Sequence, residues 1–359
     1  MIDPRERERV LAVVELARRF ADPFDPIGRK ARAMLAKTSG LSDAGVELAL
    51  SEHVEAPPSP EELALLEASL GQAARCHVVL AANVCTAAIR SLVLAVGTAP
   101  EVTVRPSTRD PGLGPLLARE LMANDRFRDA NGTVLVVESI DPGAGDEVHA
   151  YGSDASLAEI AASLPEHVVF RGHGTGLGLA FIGRSSDLVG AAQLLARDVI
   201  VFDQRGCLSP RLAIVSGEAE RGRLFARALA SALGDLAARV PRGRLDARTA
   251  SELATFRSLV DGLGERYENH DCLVAFFPDA PPVPLPPAAR VAAVASAPDE
   301  TSCARLIAPY RDLLTAVGVS DRDDAARPLV ALGSVRFSEL GKMQRPPLDG
   351  PVDRRPSRR

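Results

Sequence analysis

The sequence predicts an α/β fold built on parallel sheets, and two observations carry that prediction. From about residue 76 onward, short β-branched runs recur between segments of helical pattern. The runs are apolar almost throughout rather than alternating, as strands covered on both faces are. The turns that follow them, "NVCT", "RPSTRDPG", "GSDAS" and "GHGTGLG", are rich in Gly, Ser and Asn. Sheets of this kind bind ligands beyond the carboxyl ends of their strands.

Residues 5–75 read as helices, broken at "DPFDPIG" and at "EAPPSPEE", where Ser59 and Pro60 open a helix by cap and first-turn chemistry. Strands are predicted in "CHVVLAANV", "EVTVRPS", "GTVLVVES", "DEVHAYGS" and "EHVVFRGHG". Helix-like segments such as "TAAIRSLVLAVG", "GPLLARELMAND" and "ASLAEIAASL" lie between most of them. Residues 1–175 are read as one α/β domain of dinucleotide-binding type and residues 176–359 as a second α/β domain. In the second, "LVGAAQLLARDVIVFDQ" leads to Cys207 with a β-branched end that reads as a strand, and "RLAIVSG" is a further strand. A helical stretch follows from Glu218 to about Leu263. "DCLVAFFPDAPPVPLPPAARVAAVAS" supplies two strands around a Pro-rich connector, "ETSCARLIAPYRDLLTAVG" a helix and "RPLVALGS" a last strand. "GKMQRPPLDGPVDRRP" is too Pro-rich for regular structure.

Composition narrows the function. Of 359 residues, 46 % are apolar and 25 % charged, as expected of a globular protein with a sizeable core. The formal net charge of −5 offers no basic field to nucleic acid, and the basic end "DRRPSRR" reads as a frayed tail. The N-terminus has the pattern of an amphipathic helix rather than a signal peptide. No apolar run approaches a membrane span, so a cytoplasmic protein is expected. Five cysteines without CxxC spacing argue against a disulfide framework and against a structural zinc site; no metal is expected.

Among candidate chemical groups, Cys207 in "DQRGCLSPR" stands in a tight turn between Gly206 and Pro210. Cys272 and Cys76, by contrast, border apolar runs. A thiolate is the reactive form, and Arg205 could favour it; Cys85 in "NVCTA" is the rival nucleophile. "GHGTGLG" spaces its glycines at 172, 174, 176 and 178, which fits neither the dinucleotide fingerprint nor a phosphate loop. "YGSDAS" ends a strand at Gly152, with Ser153 or Asp154 placed to cap a helix whose first N–H groups attract a pyrophosphate. "VRPSTRD" puts Arg105, Ser107, Thr108 and Arg109 after another strand. A cation there favours a ribose 2′-phosphate, hence NADPH, and a basic surface turn is the plain alternative.

Five motifs in order, "LAANVCTAAIRSLVLA", "VRPSTRDPG", "AYGSDAS", "FRGHGTGLGLAFI" and "DQRGCLSPR", together with the final "LGKMQRPPLDGPVDRR", resemble the LuxC-type acyl-CoA reductases. These are long-chain acyl-protein thioester reductases of the aldehyde dehydrogenase superfamily. The resemblance implies an aldehyde-dehydrogenase-like fold, with a Rossmann-type cofactor-binding domain and an α/β catalytic domain. It also makes much of "LVGAAQLLARDVIVFDQ" a helix running to the cysteine despite its β-branched end. It implies that Cys207 attacks an acyl thioester, fatty acyl-CoA or acyl-carrier, and holds the acyl group until hydride from NADPH converts it to an aldehyde. Asn83 matches the side-chain amide of the oxyanion hole. Arg105 and Ser107 match the adenosine-ribose turn, and Gly152 and Ser153 the pyrophosphate turn. A homo-oligomer is expected by the same analogy.

The sequence departs from the superfamily in two places. Where hydrolytic relatives carry a glutamate base, "FRGHGTG" offers Arg171 and His173, which favours reduction over hydrolysis. No counterpart of the nicotinamide-ribose segment Glu-Ile-Phe-Gly-Pro stands in "DAPPVPLPPAAR". Two other readings stay open: a thioesterase or acyltransferase using Cys207 with His173 as base and Asp203 nearby, and a non-catalytic subunit that binds an acyl carrier.

Overall fold

Four helices begin the chain, and in each a polar side chain satisfies a first-turn N–H group. Asp3 caps α1 (Pro4–Ala21), Asp25 caps α2 (Pro26–Thr38), Ser42 caps α3 (Asp43–Glu52) and Ser59 caps α4 (Pro60–Ser69). At α4 the cap is reciprocal: Ser59 Oγ accepts from the Glu62 N–H at 3.1 Å, and Glu62 Oε2 accepts from the Ser59 N–H at 2.8 Å. The computed structural model describes residues 3–278, 282–321 and 327–355. The chain divides into two compact units after Thr175, with Pro347–Val352 returning to the first and Asp353–Arg355 to the second.

The first unit continues as β1 (Arg75–Val79), α5 (Ala87–Thr98), β2 (Glu101–Arg105), α6 (Gly114–Met122), α7 (Asp125–Asp129), β3 (Thr133–Val136), β4 (Glu147–Tyr151), α8 (Asp154–Ser163) and β5 (Val169–His173). Its sheet has the order β3-β2-β1-β4-β5 with every pairing parallel. The order reverses between β1 and β4, which is where doubly wound sheets open a ligand crevice. Val79, Val148, Ala150 and Phe170 form a buried cluster with Leu157 of α8, which fixes that helix against the sheet.

The second unit runs β6 (Leu177–Ile182), α9 (Leu188–Ile200), β7 (Pro210–Ser216), α10 (Ala219–Ala237), α11 (Ala247–Leu263), β8 (Glu265–Asn269), β9 (Cys272–Phe277), β10 (Val291–Ala297), α12 (Glu300–Ile307), β11 (Leu314–Val319), α13 (Arg327–Val330) and β12 (Arg336–Glu339). Its sheet order is β12-β11-β6-β7-β10-β9-β8, parallel except for β8 against β9. Strands β6, β9 and β11 are buried at every residue, the pattern that continuous apolar runs produce.

Several expectations are corrected here. The helix expected over Glu218–Leu263 is two helices, because Pro241 and Gly243 stand between them. The helix expected through "LLTAVG" stops at Ile307; Pro309 lies in a 3-10 turn, and Leu314–Val319 is a buried strand. "RPLVALGS" is not a strand: Arg327–Val330 is a short helix, and the sheet edge is β12. The segment before Cys207 is helical to Ile200, as the resemblance implied against its β-branched composition, and a 3-10 turn over Val201–Gln204 rather than further helix leads on toward the cysteine. Strands β6 and β8 had no counterpart among the expected elements. Residues 341–355 carry neither helix nor strand, and the end of the basic tail, 356–359, lies outside the described residues.

Candidate active site

Helix α9, capped by Asp187, delivers the chain to the Cys207 turn. The turn begins with three consecutive non-glycine residues in the left-handed region: Phe202 at φ 54°, Asp203 at 52° and Gln204 at 63°. Each costs about 1–2 kcal/mol relative to right-handed backbone, so tertiary contacts must impose the shape. Asp203 Oδ1 accepts from Arg290 Nε at 2.9 Å and Nη2 at 2.6 Å, and Oδ2 accepts from the Gly243 N–H at 3.1 Å. Gln204 Nε2 donates to the carbonyls of Pro210 at 2.8 Å and Val291 at 2.7 Å, while its Oε1 accepts from the Val291 N–H at 2.8 Å. All three side chains are buried, Arg290 to 1 % exposure.

The remainder of the turn is held as firmly. Arg205 Nε donates to the Phe202 carbonyl at 3.1 Å, the Ser209 N–H closes on the Gly206 carbonyl at 3.1 Å, and Thr315 Oγ1 reaches the Cys207 carbonyl. Cys207 emerges partly exposed just ahead of β7, whereas Cys76, Cys85, Cys272 and Cys303 are buried. Burial pushes the thiols of Cys272 and Cys303 up to about 12 and that of Cys76 well above its ordinary value. A thiol of that kind yields no thiolate near neutrality.

The C-terminal segment is tied to the same region. Asp198 of α9, fully buried, accepts the N–H groups of Gly341 at 2.6 Å and Met343 at 2.9 Å. Burial nonetheless pushes its carboxyl up to about 7. Ser209 Oγ, two residues past Cys207, donates to Gln344 Oε1 at 3.3 Å. Asp198, Gln204, Arg290 and Thr315 were not singled out from the sequence. The one available signal was the presence of charged or amide side chains inside apolar runs such as "LARDVIVFDQ" and "AARVAAV".

In the first unit the sequence candidates gather at the carboxyl ends of three neighbouring strands. Asn83 is exposed in the turn after β1; Arg105 ends β2, with Ser107 half-buried beyond it; Gly152 and Ser153 follow β4. Ser153 Oγ caps α8 by accepting from the Ser156 N–H at 3.2 Å. A Cβ placed on Gly152 would meet only Ser156 Cβ, at an ordinary 3.7 Å, so packing within the unit does not require a glycine there. Close approach of a phosphate to the backbone would require one. At the end of β2, Arg105 and Arg109 are exposed, while the neighbouring Asp110 is buried with Oδ1 accepting from the Gly112 N–H at 2.9 Å. The residues present therefore fit a dinucleotide.

Asp203 is engaged in the buried pair with Arg290, and the His173 ring is stacked on Tyr151 at 4.7 Å between centroids. Arg171 pairs with Glu147. Among the described residues no group of three or more His, Cys, Asp or Glu could hold a metal ion.

Two parallel α/β units, one with strand-end turns suited to a dinucleotide and one presenting a cysteine, form the fold of the aldehyde dehydrogenases. The NAD-dependent benzaldehyde dehydrogenase of Corynebacterium glutamicum is similar at a TM-score of 0.67 and 16 % identity, over 94 % of this chain and 80 % of that one. The succinic semialdehyde dehydrogenase of Streptococcus pyogenes, solved with NADP+ as the cofactor, is similar at 0.62 and 14 % identity, over 94 % and 82 %. Within that fold the chain belongs to the acyl-CoA reductase (LuxC) family, whose model matches residues 6–353. No curated protein matches the chain. No helix among the described residues is long and apolar enough to cross a membrane.

Proposed function

We propose that this chain reduces a fatty acyl thioester, acyl-CoA or acyl-carrier, to the aldehyde with NADPH, by way of an acyl group held on Cys207. The observation that carries the reading is that Cys207 alone of five cysteines is partly exposed, on a turn built from otherwise costly backbone. The Cys207 thiolate adds to the thioester carbonyl carbon. The Asn83 amide and the Cys207 N–H donate to the oxyanion that develops; donors fixed where charge appears contribute about 3–4 kcal/mol to lowering such a barrier. Collapse breaks the bond to the departing thiolate, which takes up a proton, and leaves the acyl group on sulfur. Arg105 and Ser107 hold the adenosine ribose and its 2′-phosphate, and Gly152 and Ser153 the pyrophosphate. When bound, the reduced nicotinamide supplies the hydride. Cys207 then leaves as thiolate and the aldehyde is released. "FRGHGTG", where the resemblance puts the glutamate base of hydrolytic relatives, itself contains no acid, which supports reduction over hydrolysis.

The test is single-turnover chemistry with a fatty acyl-CoA. Without NADPH, thiol release should be a burst stoichiometric with protein; with NADPH, aldehyde should form continuously. Cys207→Ala should abolish the burst and the acyl label, and Cys85→Ala should keep both. Continuous release of free acid without NADPH would overturn the reading in favour of a thioesterase.

A further inference from the structure

We propose that Asp203, Arg290 and Gln204 are positioning residues for Cys207, acting together as a buried lock that aims its sulfur for addition to the thioester carbonyl. The inference rests on Cys207 being the acylated nucleophile. Of Phe202, Asp203 and Gln204 only aspartate visits left-handed backbone readily, and then as a single residue, yet all three adopt it in succession, and Arg290 adopts it too at φ 61°. Such a run persists only where its surroundings over-determine it, and it accumulates where geometry serves chemistry.

Here the determinants can be named. Both anchors converge on the entry to β10: Asp203 on Arg290, and Gln204 on the backbone N–H and carbonyl of Val291. Arg290 is fixed in turn by donation to the Val240 carbonyl at 2.7 Å. Gln204 also closes the base of its own loop, because the same Nε2 that meets Val291 donates to the Pro210 carbonyl at 2.8 Å. Cys207 is the middle residue of the segment between Gln204 and Pro210. One amide thus pins both ends of the loop that carries the thiol, and the ion pair pins the turn that enters it.

Addition to a carbonyl needs an aligned approach, whereas alkylation by a small soluble reagent needs only a thiolate within reach of water. The two reactions therefore separate aiming from mere integrity of the loop. Gln204→Met keeps length and apolar contact while removing all three hydrogen bonds. Asp203→Asn keeps shape while removing the charge opposite Arg290. In the full chain, single-turnover acylation at saturating fatty acyl-CoA should fall about 10–100-fold in Gln204→Met and by a smaller factor in Asp203→Asn. The half-saturating acyl-CoA concentration should be unchanged. Iodoacetamide alkylation of Cys207, located by mass, should stay within about threefold of the parent with the same pH profile, since thiolate formation does not depend on aim.

Equal losses in acylation and alkylation would reduce the lock to a structural role and overturn the proposal. So would folded variants that acylate at the parent rate. If Gln204→Met does not fold, Asp203→Asn carries the same comparison. A parent chain that alkylates at Cys207 yet never accepts an acyl group removes the proposed function, and this inference with it.

Discussion

A cation beyond β2 recognises a phosphate more readily when the carboxylate next to it in the chain is occupied elsewhere, and in the first unit that carboxylate is Asp110. Asp110 is withdrawn into a buried turn with the Gly112 N–H, leaving Arg105 and Arg109 exposed beyond the strand. A hydrogen bond to a charged group contributes about 1.5–3 kcal/mol, or roughly 10–100-fold in affinity. Arg105→Ala should therefore raise the half-saturating NADPH concentration by about tenfold or more and leave that for NADH within about twofold. Steady-state kinetics with the two cofactors would decide it, and equal losses for both would end the 2′-phosphate assignment. Cys207 could be found from the sequence because Gly206 and Pro210 mark a turn. Its lock could not, because Asp203 and Gln204 in "FDQRG" look like ordinary polar turn residues. Only the folded chain puts Arg290, 87 positions away, against Asp203, and Val291 against Gln204.

At the scale of elements, α8 and the turn before it make the most direct claim. Gly152 lies outside the left-handed region, and a methyl group there meets only Ser156 Cβ at 3.7 Å. Gly152→Ala should therefore leave stability unchanged or raise it by up to about 1 kcal/mol, by restricting the unfolded chain. NADPH affinity should nevertheless fall, because the methyl group would occupy the approach to the backbone that a pyrophosphate needs. Thermal unfolding and cofactor fluorescence measured on one sample test both halves, and undiminished NADPH binding would remove the phosphate turn from this site. The parallel strands of the first unit were legible from their β-branched runs, although only β1 and β4 are buried along most of their length while β2, β3 and β5 are partly exposed. The caps were legible because Ser59 and Glu62 announce themselves. The second unit was less legible for local reasons. Leu314–Val319 continues a helical pattern that Pro309 had already broken, and Arg336–Glu339 is an edge strand too short and too polar to stand out. Three left-handed residues without a glycine leave no mark on composition at all.

Over the molecule as a whole, the C-terminal segment reads as irregular because its order comes from a residue far back in the chain. Asp198 receives the Gly341 and Met343 N–H groups, so a buried carboxyl ties the helix leading to Cys207 to the C-terminal segment, beside the Ser209–Gln344 hydrogen bond. That dependence has a pH signature. Burial holds the folded carboxyl protonated up to about 7, against 3.8 as its ordinary value, despite the N–H groups that favour its anion. Folding therefore takes up a proton between those two values. The contribution is complete below about pH 4 and is lost as pH rises through about 7, by about 1.4 kcal/mol per unit and about 4 kcal/mol in all. Asp146 and Glu147 act in the opposite sense. Burial raises both, but hydrogen bonds from the Gly143 N–H, His77 and Arg75 at Asp146, and from His149 and Arg171 at Glu147, outweigh it and lower both carboxyls, so their contribution disappears as pH falls through the lowered values. The melting temperature should accordingly decline from mildly acidic pH to about 7 and level off above it. Asp198→Asn, which cannot ionise, should flatten that decline while lowering stability at acid pH through the weakened turn. Melting curves of the two proteins across this range provide the measurement, and parallel profiles would mean that Asp198 is ionised throughout and that its N–H donors, not its burial, dominate.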